Sequence, residues 1–450
     1  MTKIEISSII RMKSQTMYIG FDDTDSPKGM CTTYLAYKMV NLLKKQKVSF
    51  LDFPYLIRFN PNIPWKTRGN GAVGLTISTN DPQKIKQLVK NLIQRYSDTK
   101  NGANPGLVFL EKEKIPDEFK EFSSKALWKL IRRDDAKKFI SKYNLDSFYL
   151  GNGQGLVGSI GAIGYKFFDQ TFELLSYRNE SKFGTKRKID RKEVKTMQEK
   201  TFPETFNNYD DSRDKILISP HGPDPVFYGI RGETPLSLIA ASKLIKQHEK
   251  LNGYLIFKSN QGTGDHLRNQ IDFENFSPYT SGTITGTVAV SPTVIKGGHV
   301  FFAIRSKDNV FRCAVYKPTK ITNIARNLIV GDRITIGGGV RKATKNFERL
   351  VNIEFINILK LETKYQTVNP FCKKCKKRMK SKGKHQGFQC VKCGNKSSKK
   401  SSIKLPRQIS KTLYIPAVSA HRHLTRPKQR LHTVNQKSQF SRKIKWINKF

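Results

Sequence analysis

The sequence predicts a multidomain α+β protein, and three observations support this fold class. The chain has 450 residues, more than a single hydrophobic core usually organises, so several domains are expected. Strand and helix patterns alternate up to about residue 270, and short strands with a period of two follow from Ser277. Four cysteines in two close pairs then precede a basic C-terminal region.

Two regions alternate between strand and helix patterns, residues 17–100 and residues 210–270. In the first, MYIGF, YLIRFN and GAVGLTIS predict strands, and CTTYLAYKMVNLLKKQ and PQKIKQLVKNLIQRYS have the apolar spacing of helices. In the second, the helix pattern TPLSLIAASKLIKQ lies between the strand patterns KILISP and GYLIFKSN. Between the two regions, the glycine-rich residues 151–165 predict a tight loop that leads into a closely packed helix.

The region from Ser277 to about Leu361 combines the two-residue period with glycine punctuation. Five short strands over this length indicate a small β-barrel, most naturally an OB-fold. The predicted strands are residues 281–290, 298–304, 310–316, 332–340 and 350–360.

The clustered cysteines have the spacing C-x2-C-x14-C-x2-C. Two turns that each present a pair of thiolates can close a tetrahedron around zinc, and four cysteines leave no open coordination position. We therefore expect a structural Zn2+ rather than four free thiols, with the surrounding lysines lowering the pKa of the thiols. The predicted ligands are Cys372, Cys375, Cys390 and Cys393.

The net charge of +46 indicates a polyanionic partner. From Thr363 to the C-terminus there is no Asp or Glu, while Lys and Arg are frequent. Such a surface favours nucleic acid, although an anionic membrane or a solubilising tail are alternatives. No apolar run approaches the ~18 residues of a membrane span, and the N-terminus lacks a secretion signal pattern, so a cytoplasmic location without a membrane partner is expected.

Three aspartates (Asp22, Asp23 and Asp25) follow the first predicted strand, and Thr32 stands at the predicted start of the next helix. Carboxylates at a strand end can converge on Mg2+, and the N–H groups of a helix start favour a bound phosphate. These residues fit a phosphoryl-transfer site. They equally fit an Asp-rich turn followed by a helix cap.

Two loops carry further charged candidates. NPNIPWKTRGN presents Lys66 and Arg68, which could grip phosphates or lie on an ordinary basic surface loop. HGPDPVFYGIRGETP presents Asp224, Arg231 and Glu233 beside a helix start, where an acidic turn is an equally good explanation.

Six motifs together resemble those of the archaeal 2-agmatinylcytidine synthetases (the TiaS family), which act on the minor isoleucine tRNA. They occur in that family's order and extend over roughly residues 17–430. The motifs are IGFDDTDSPKGMCTTYLA, RFNPNIPWKTRGNGAV, GNGQGLVGSIGAIGY, GPDPVFYGIRG, SNQGTGDHL and AHRHLTRPKQR.

The resemblance implies a kinase-like α/β domain, a ferredoxin-like domain, an OB-fold β-barrel and a zinc ribbon. The predicted domains are residues 17–205 (ATP-dependent kinase-like catalytic domain), 206–276 (ferredoxin-like domain), 277–362 (OB-fold), 366–398 (zinc ribbon) and 399–450 (basic C-terminal tail). The tail, around HRHLTRPKQR, is expected to pair with phosphates.

The resemblance further implies an ATP-dependent carbon–nitrogen ligase. It would replace the 2-oxo group of the wobble cytidine, in the CAU anticodon of the minor isoleucine tRNA, with agmatine. ATP would phosphorylate the C2 oxygen and leave AMP and phosphate as end products. The resulting 2-agmatinylcytidine pairs with A instead of G, so the tRNA decodes AUA. The tRNA and agmatine are the expected partners, and the oligomeric state is not predicted.

The resemblance also assigns roles to individual residues. Thr32, directly after Cys31, corresponds to the threonine that the kinase-like domain phosphorylates on itself. Asp22, Asp23 and Asp25 would coordinate Mg2+ and handle charge during phosphoryl transfer.

Binding roles follow in the same way. Agmatine is a dication, so its pocket in this basic protein must be locally acidic, and Asp224 and Glu233 are the candidates. Gln154 stands where the family is expected to have arginine, which puts one phosphate contact in doubt. The expected contacts to the ATP phosphates are Lys66, Arg68, Gly153 and Gly155.

Two rival functions remain open at this point. A non-enzymatic single-strand nucleic-acid-binding protein can also combine an OB-fold with a four-cysteine ribbon, but it predicts several OB units and leaves residues 17–270 unexplained. A related RNA-modifying enzyme that uses another amine would share the same scaffold.

Overall fold

The computed structural model describes residues 14–67, 69–345, 348–436 and 440–449. It divides into two compact units. The first contains the described residues up to Thr283, Gly339–Lys342, and the described residues from Ala417 on. The second contains the described residues of Ile284–Gly338 and Ala343–Pro416.

Seven α-helices of the described residues lie in the first unit, and their starts follow local capping rules. Asp81, Asp190 and Thr234 each accept a hydrogen bond from a backbone N–H of the first turn of α2, α6 or α7. The helices are α1 (Thr32–Lys45), α2 (Pro82–Tyr96), α3 (Asp117–Trp128), α4 (Arg133–Lys142), α5 (Gly155–Gly164), α6 (Arg191–Thr201) and α7 (Pro235–Ser242), and the short α8 (Thr322–Arg326) lies in the second unit.

The strands alternate with these helices in the first unit and dominate the second. Up to residue 259 they are β1 (Gln15–Asp22), β2 (Ser49–Phe50), β3 (Tyr55–Arg58), β4 (Gly71–Thr79), β5 (Gly106–Leu110), β6 (Ser147–Tyr149), β7 (Thr171–Arg178), β8 (Thr205–Phe206), β9 (Tyr209–Asp210), β10 (Lys215–Ile216), β11 (Val226–Gly232) and β12 (Leu251–Ser259). The remainder are β13 (Ser281–Val294), β14 (Val300–Ser306), β15 (Asn309–Val315), β16 (Arg333–Arg341), β17 (Leu350–Lys360), β18 (Lys364–Val368), β19 (Lys380–Ser381), β20 (Phe388–Gln389), β21 (Lys396–Ser397), β22 (Ser401–Leu405), β23 (Leu413–Tyr414) and β24 (Ile447–Lys449).

One continuous sheet organises the first unit, in the order β6-β5-β1-β4-β3-β12-β7-β11-β8. Its two halves join through the parallel pair β3 and β12, where Tyr55 lies opposite Lys258. β7 pairs with both β11 and β12. The predicted domain boundary at residue 205 would separate β7 from these partners, so the hydrogen bonding favours a boundary before β7.

The glycine-rich helix α5 packs against the C-terminal half of β1. A Cβ atom on Gly20 would overlap the carbonyl group of Ser159, and a Cβ on Gly158 would overlap the carboxylate of Asp22. The small residues therefore allow helix and strand backbones to approach closely, as the sequence predicted. This packing buries the end of β1, where the aspartates begin.

The second unit contains the predicted barrel and ribbon. β15, β14, β13, β16 and β17 follow one another in one sheet, and a parallel pairing of β15 with β17 closes it. All five strands coincide with the predicted segments to within a few residues, which confirms the barrel. The small ribbon sheet is formed by β19, β20 and β21.

The C-terminal region differs from the predicted basic tail of residues 399–450. Its last part folds into the first unit, where β24 pairs with β12 and Trp446 packs against Phe50 and Phe440. The physical reason is apolar content that the net charge obscured, because the core continues through Trp446. None of the helices in the described ranges combines the length and apolar character that a bilayer span needs.

Candidate active site

A cavity of about 520 Å³ lies in the first unit beside the C-terminal end of β1. Its wall unites residues from the aspartate motif, the start of α1, both halves of the sheet and the C-terminal segment. The charged and polar residues that matter below are Asp22, Asp23, Asp25, Thr32, Arg58, Lys66, Gln154, Glu173, Asp224, Arg231 and His423.

The three aspartates enter this wall together, as the sequence predicted. Asp23 has a left-handed backbone (φ 56°), and its N–H donates to Asp22 Oδ1 at 2.7 Å. Burial raises the pKa of Asp22 well above its ordinary value, and the charges of Asp23 and Asp25 raise it further. Burial and then Asp25 raise the pKa of Asp23 to about 7. Burial and the neighbouring carboxylates therefore both disfavour the charged forms of Asp22 and Asp23.

Thr32 is the first residue of α1 and lies against the aspartates. Its hydroxyl donates to Asp25 Oδ1 at 3.2 Å and accepts from Thr24 Oγ1 at 3.1 Å. The first turn of α1 carries no acidic residue, so its free N–H groups and dipole favour an anion. The arrangement can pass the hydroxyl proton to a carboxylate while a phosphoryl group approaches the helix start.

The cavity aspartates can be assessed as ligands for Mg2+. Among the described residues, the only group of three or more Cys, His, Asp or Glu ligand atoms within 4.8 Å of one another is the cysteine cluster. The aspartates thus form no closed cage by themselves. This fits Mg2+, which binds proteins through one or two carboxylates and takes its other ligands from water and substrate phosphates.

Two arginines complete the cavity wall. Arg231 Nε donates to Glu173 Oε1 at 3.0 Å. Arg58 Nη2 lies 3.7 Å from Glu173 Oε2, and its buried Nε has no hydrogen-bond partner among the described residues. Buried guanidinium donors are rarely left unsatisfied, so the Arg58 side chain fits an anionic ligand in the cavity.

Sequence reasoning missed Arg58, Glu173 and His423 as site residues. Arg58 and Glu173 belong to strands that otherwise read as apolar, YLIR and TFELLSYR, and both strands are largely buried. A charged residue within an otherwise apolar strand was the available signal, because a buried charge needs a partner or a ligand. His423 had no comparable local signal beyond its motif.

The predicted phosphate contacts have mixed outcomes. Lys66 lines the cavity, but its Nζ also donates to the carbonyl of Pro61 in its own loop. Arg68 lies outside the described residues. Gly153 (φ 76°) and Gly155 shape the turn into α5 and do not line the cavity, whereas Gln154 between them does.

Of the two agmatine candidates, one lines the cavity and the other does not. Asp224 lines the cavity, and its Oδ1 accepts from the N–H of Val226 at 3.1 Å and lies 3.4 Å from Arg187 Nη2. Glu233 lies outside the cavity wall and is ion-paired with Arg430 at 2.5 Å. Glu233 therefore lies away from the cavity, and its position does not support a ligand role.

The four cysteines are brought together as the spacing predicted, with all ligand atoms within 4.8 Å of one another. This set fits tetrahedral Zn2+. The pKa of Cys372 is lowered to about 6 by the backbone N–H groups of Cys375 and Lys374 and by the neighbouring thiols. The charges of the surrounding lysine side chains are not among the main causes, and the neighbouring Cys393 thiol, followed by burial, raises the pKa of Cys375 to about 12.

Comparisons with known proteins agree with this geometry. Family models described as TiaS TCKD domain, TiaS FLD domain and TiaS C-terminal zinc ribbon domain match residues 18–152, 153–266 and 369–409. The isoleucine-tRNA 2-agmatinylcytidine synthetase TiaS of Cenarchaeum symbiosum (strain A) is 45% identical over 442 residues, which are 98% of each chain. The chain belongs to the TiaS family.

Other TiaS proteins are similarly close. The TiaS of Methanocaldococcus jannaschii is 39% identical over 425 residues, covering 92% of this chain and 98% of the relative. A solved complex of TiaS with its isoleucine tRNA and ATP matches with a TM-score of 0.84 at 35% identity, over 94% of this chain and 99% of that one. A complex of TiaS with the same tRNA, AMPCPP and agmatine matches with a TM-score of 0.82 at 32% identity, over the same shares. The TiaS domain models meet at residues 152 and 153, before β7.

Proposed function

We propose that this chain is an ATP-dependent ligase that replaces the 2-oxo group of the wobble cytidine of the minor isoleucine tRNA, anticodon CAU, with agmatine. Membership in the TiaS family supports this activity, since TiaS relatives have been solved with an isoleucine tRNA, ATP, AMPCPP and agmatine. The observation that carries it is the shared cavity, where Thr32 and three carboxylates meet the guanidiniums of Arg58 and Arg231.

The chemistry requires two steps. The C2 oxygen of cytosine is amide-like and leaves poorly, so a phosphoryl group from ATP is first transferred to it, which leaves ADP. The primary amine of agmatine then attacks C2, phosphate leaves, and the amine loses a proton. A polar cavity that binds phosphoryl groups and excludes bulk water suits both steps.

The residues of the cavity divide this work. Thr32 takes up the second phosphoryl group, from the ADP left by the first transfer, and Asp25, to which its hydroxyl is hydrogen-bonded, accepts the hydroxyl proton. Hydrolysis of the phosphothreonine then releases phosphate, so that AMP is the nucleotide product. Arg58 and Arg231 bind the phosphoryl oxygens and stabilise the charge that develops on them. Mg2+ held by the aspartates and ATP would neutralise phosphate charge and relieve the repulsion between Asp22 and Asp23.

Asp224 remains our candidate for agmatine, on the cavity wall. We assign no agmatine contact to Glu233. The barrel and the zinc ribbon, with its structural Zn2+, would hold the tRNA through their basic surfaces, and the reaction would take place in the cytoplasm.

The test is direct. Purified protein, ATP, Mg2+, agmatine and the tRNA are incubated, the RNA is digested, and its nucleosides are weighed. We expect a cytidine heavier by the agmatine adduct, dependent on both ATP and agmatine, and absent with the Thr32→Ala variant. Tight tRNA binding without any adduct would overturn the proposal. An adduct formed with putrescine but not with agmatine would replace it with the rival that uses another amine.

A further inference from the structure

Glu173 is a buried carboxylate that the chemistry above does not use. It lies in β7, and 2% of its surface is exposed. Its Oε1 accepts from Arg231 Nε at 3.0 Å, and its Oε2 accepts from Gln261 Nε2 and lies 3.7 Å from Arg58 Nη2. One carboxylate thus contacts three cationic or polar groups from three separate segments.

Gln261 extends this network to the C-terminal segment. Because its amide nitrogen faces the Glu173 carboxylate, its Oε1 must face His423 Nδ1, at 2.8 Å. An amide oxygen only accepts and a guanidinium only donates, so the tautomer of His423 decides whether Nδ1 pairs with Gln261 or with Arg231 Nη2, 3.0 Å away. Burial, Arg58 and Arg231 lower the pKa of His423 well below its usual value, so the ring is neutral. In either tautomer, Arg231 is bonded to Glu173 through its Nε.

We propose that Glu173 is a positioning residue for phosphoryl transfer: it holds the guanidiniums of Arg58 and Arg231 at the cavity wall and, through Gln261, fixes the orientation of His423. This inference rests on the proposed function, since it concerns how the cavity binds phosphoryl groups. Two guanidiniums beside a neutral imidazole repel each other. Without the Glu173 charge they would separate, and the donors meant for phosphate would lose their common orientation.

The same strand supplies a matched control. Arg178, also in β7, forms a buried ion pair with Glu249 at 2.5 Å, and their side chains are 1% and 7% exposed. Neither residue lines the cavity. Replacing Glu249 therefore reproduces the cost of breaking a buried pair on β7 without touching the cavity arginines.

The experiment compares Glu173→Gln with Glu249→Gln in the full-length protein. The melting temperature, the ATP dissociation constant by calorimetry, and kcat and KM for ATP in adduct formation are measured. Both variants should melt earlier. We expect Glu173→Gln to weaken ATP binding and to lower kcat/KM by roughly 10- to 100-fold, and Glu249→Gln to change them by less than about twofold per folded molecule.

Conservative variants keep the test decisive if the glutamine variants fail to fold. Glu173→Asp retains the charge at a shorter reach and should restore part of the ATP affinity, whereas Glu249→Asp should leave that affinity unchanged. Equal ATP affinities in the Glu173 and Glu249 series would overturn the positioning role. The calorimetric measurement separates the two proposals: wild type that binds ATP but makes no adduct contradicts the proposed function, while the Glu173 comparison still decides this one.

Discussion

Two acidic clusters of the first unit are held in opposite ways. Asp169 is fully buried and contacts Arg426 at 2.5 Å and Arg430 at 2.8 Å. Arg430 also reaches Glu233. These carboxylates are neutralised by the chain itself, and the ion pairs fasten the C-terminal segment to the sheet.

Within the described part of the chain, Asp22 and Asp23 of the cavity have no such arrangement. Among the described residues, Asp22 and Asp23 form no ion pair, and burial together with their neighbours raises the pKa of both. In a chain with a net charge of +46, two buried carboxylates whose pKa is raised in this way indicate a site for a cation that arrives with the substrate. The ion-paired Asp169 and Glu233 therefore stabilise the fold, whereas Asp22 and Asp23, without an ion pair among the described residues, indicate the ligand site.

The largest effect should come from replacing a cavity aspartate, and it should be on activity and not on stability. Asp22→Asn removes a carboxylate that can bind the cation arriving with ATP, so adduct formation should fall by about 10²- to 10³-fold. The free energy of unfolding should stay level or rise, since a neutral isostere relieves repulsion with Asp23 and Asp25. Nucleoside mass spectrometry and urea unfolding measure the two quantities. A variant that is destabilised yet active would place Asp22 with the structural carboxylates.

The second effect should come from breaking the buried ion pairs of Arg430, and it should be on stability. Arg430→Met leaves Asp169 and Glu233 without a shared partner, which should cost about 3–5 kcal/mol in the free energy of unfolding, as for other broken buried pairs. Lys428→Met, an exposed lysine of the same segment, is the control and should change stability by less than about 0.5 kcal/mol. Urea unfolding of both variants measures the two free energies of unfolding. Equal stabilities would mean that the ion pairs do not hold the C-terminal segment.

The sequence predicted those parts of the fold that depend on neighbours along the chain. The five barrel strands follow from their period and glycines, and α5 follows from its small residues. The pairing of β3 with β12 could not be read, because it joins segments about two hundred residues apart and has no local signature. The pairing of β7 with β11 and β12, across the predicted boundary at residue 205, could not be read from the sequence for the same reason.

The candidate site divides in the same way. Asp22, Asp25 and Thr32 lie close together in sequence, so one motif revealed them. Glu173 and His423 come from distant segments and carry no pattern of their own. Glu233 shows the converse, since its local sequence suggested a ligand, while its partner Arg430 stands nearly two hundred residues further on.

A third effect concerns the arginine whose Nε has no partner among the described residues. Arg58→Lys keeps the charge but removes the planar donor set, so ATP affinity should fall by about tenfold. Arg95→Lys, on the exposed face of α2, is the control and should leave ATP affinity unchanged. Calorimetric titration with ATP measures both. An unchanged affinity in Arg58→Lys would show that charge alone, and not directed hydrogen bonding, serves the cavity.

The smallest effect on the cavity should come from the metal site that the chain closes by itself. The four cysteines need no ligand from a substrate, in contrast to the aspartates, so Cys372→Ser should release zinc and weaken tRNA binding while ATP affinity stays within about twofold of wild type. Metal analysis, tRNA binding across a salt series, and ATP titration give the three readouts. The affinity of wild type for tRNA should fall steeply with salt, since many phosphate contacts are expected. Retained zinc in Cys372→Ser would contradict the four-cysteine assignment. A large loss of ATP affinity would mean that the zinc ribbon and the cavity are coupled, and the contrast between a closed structural site and an open catalytic one would no longer hold.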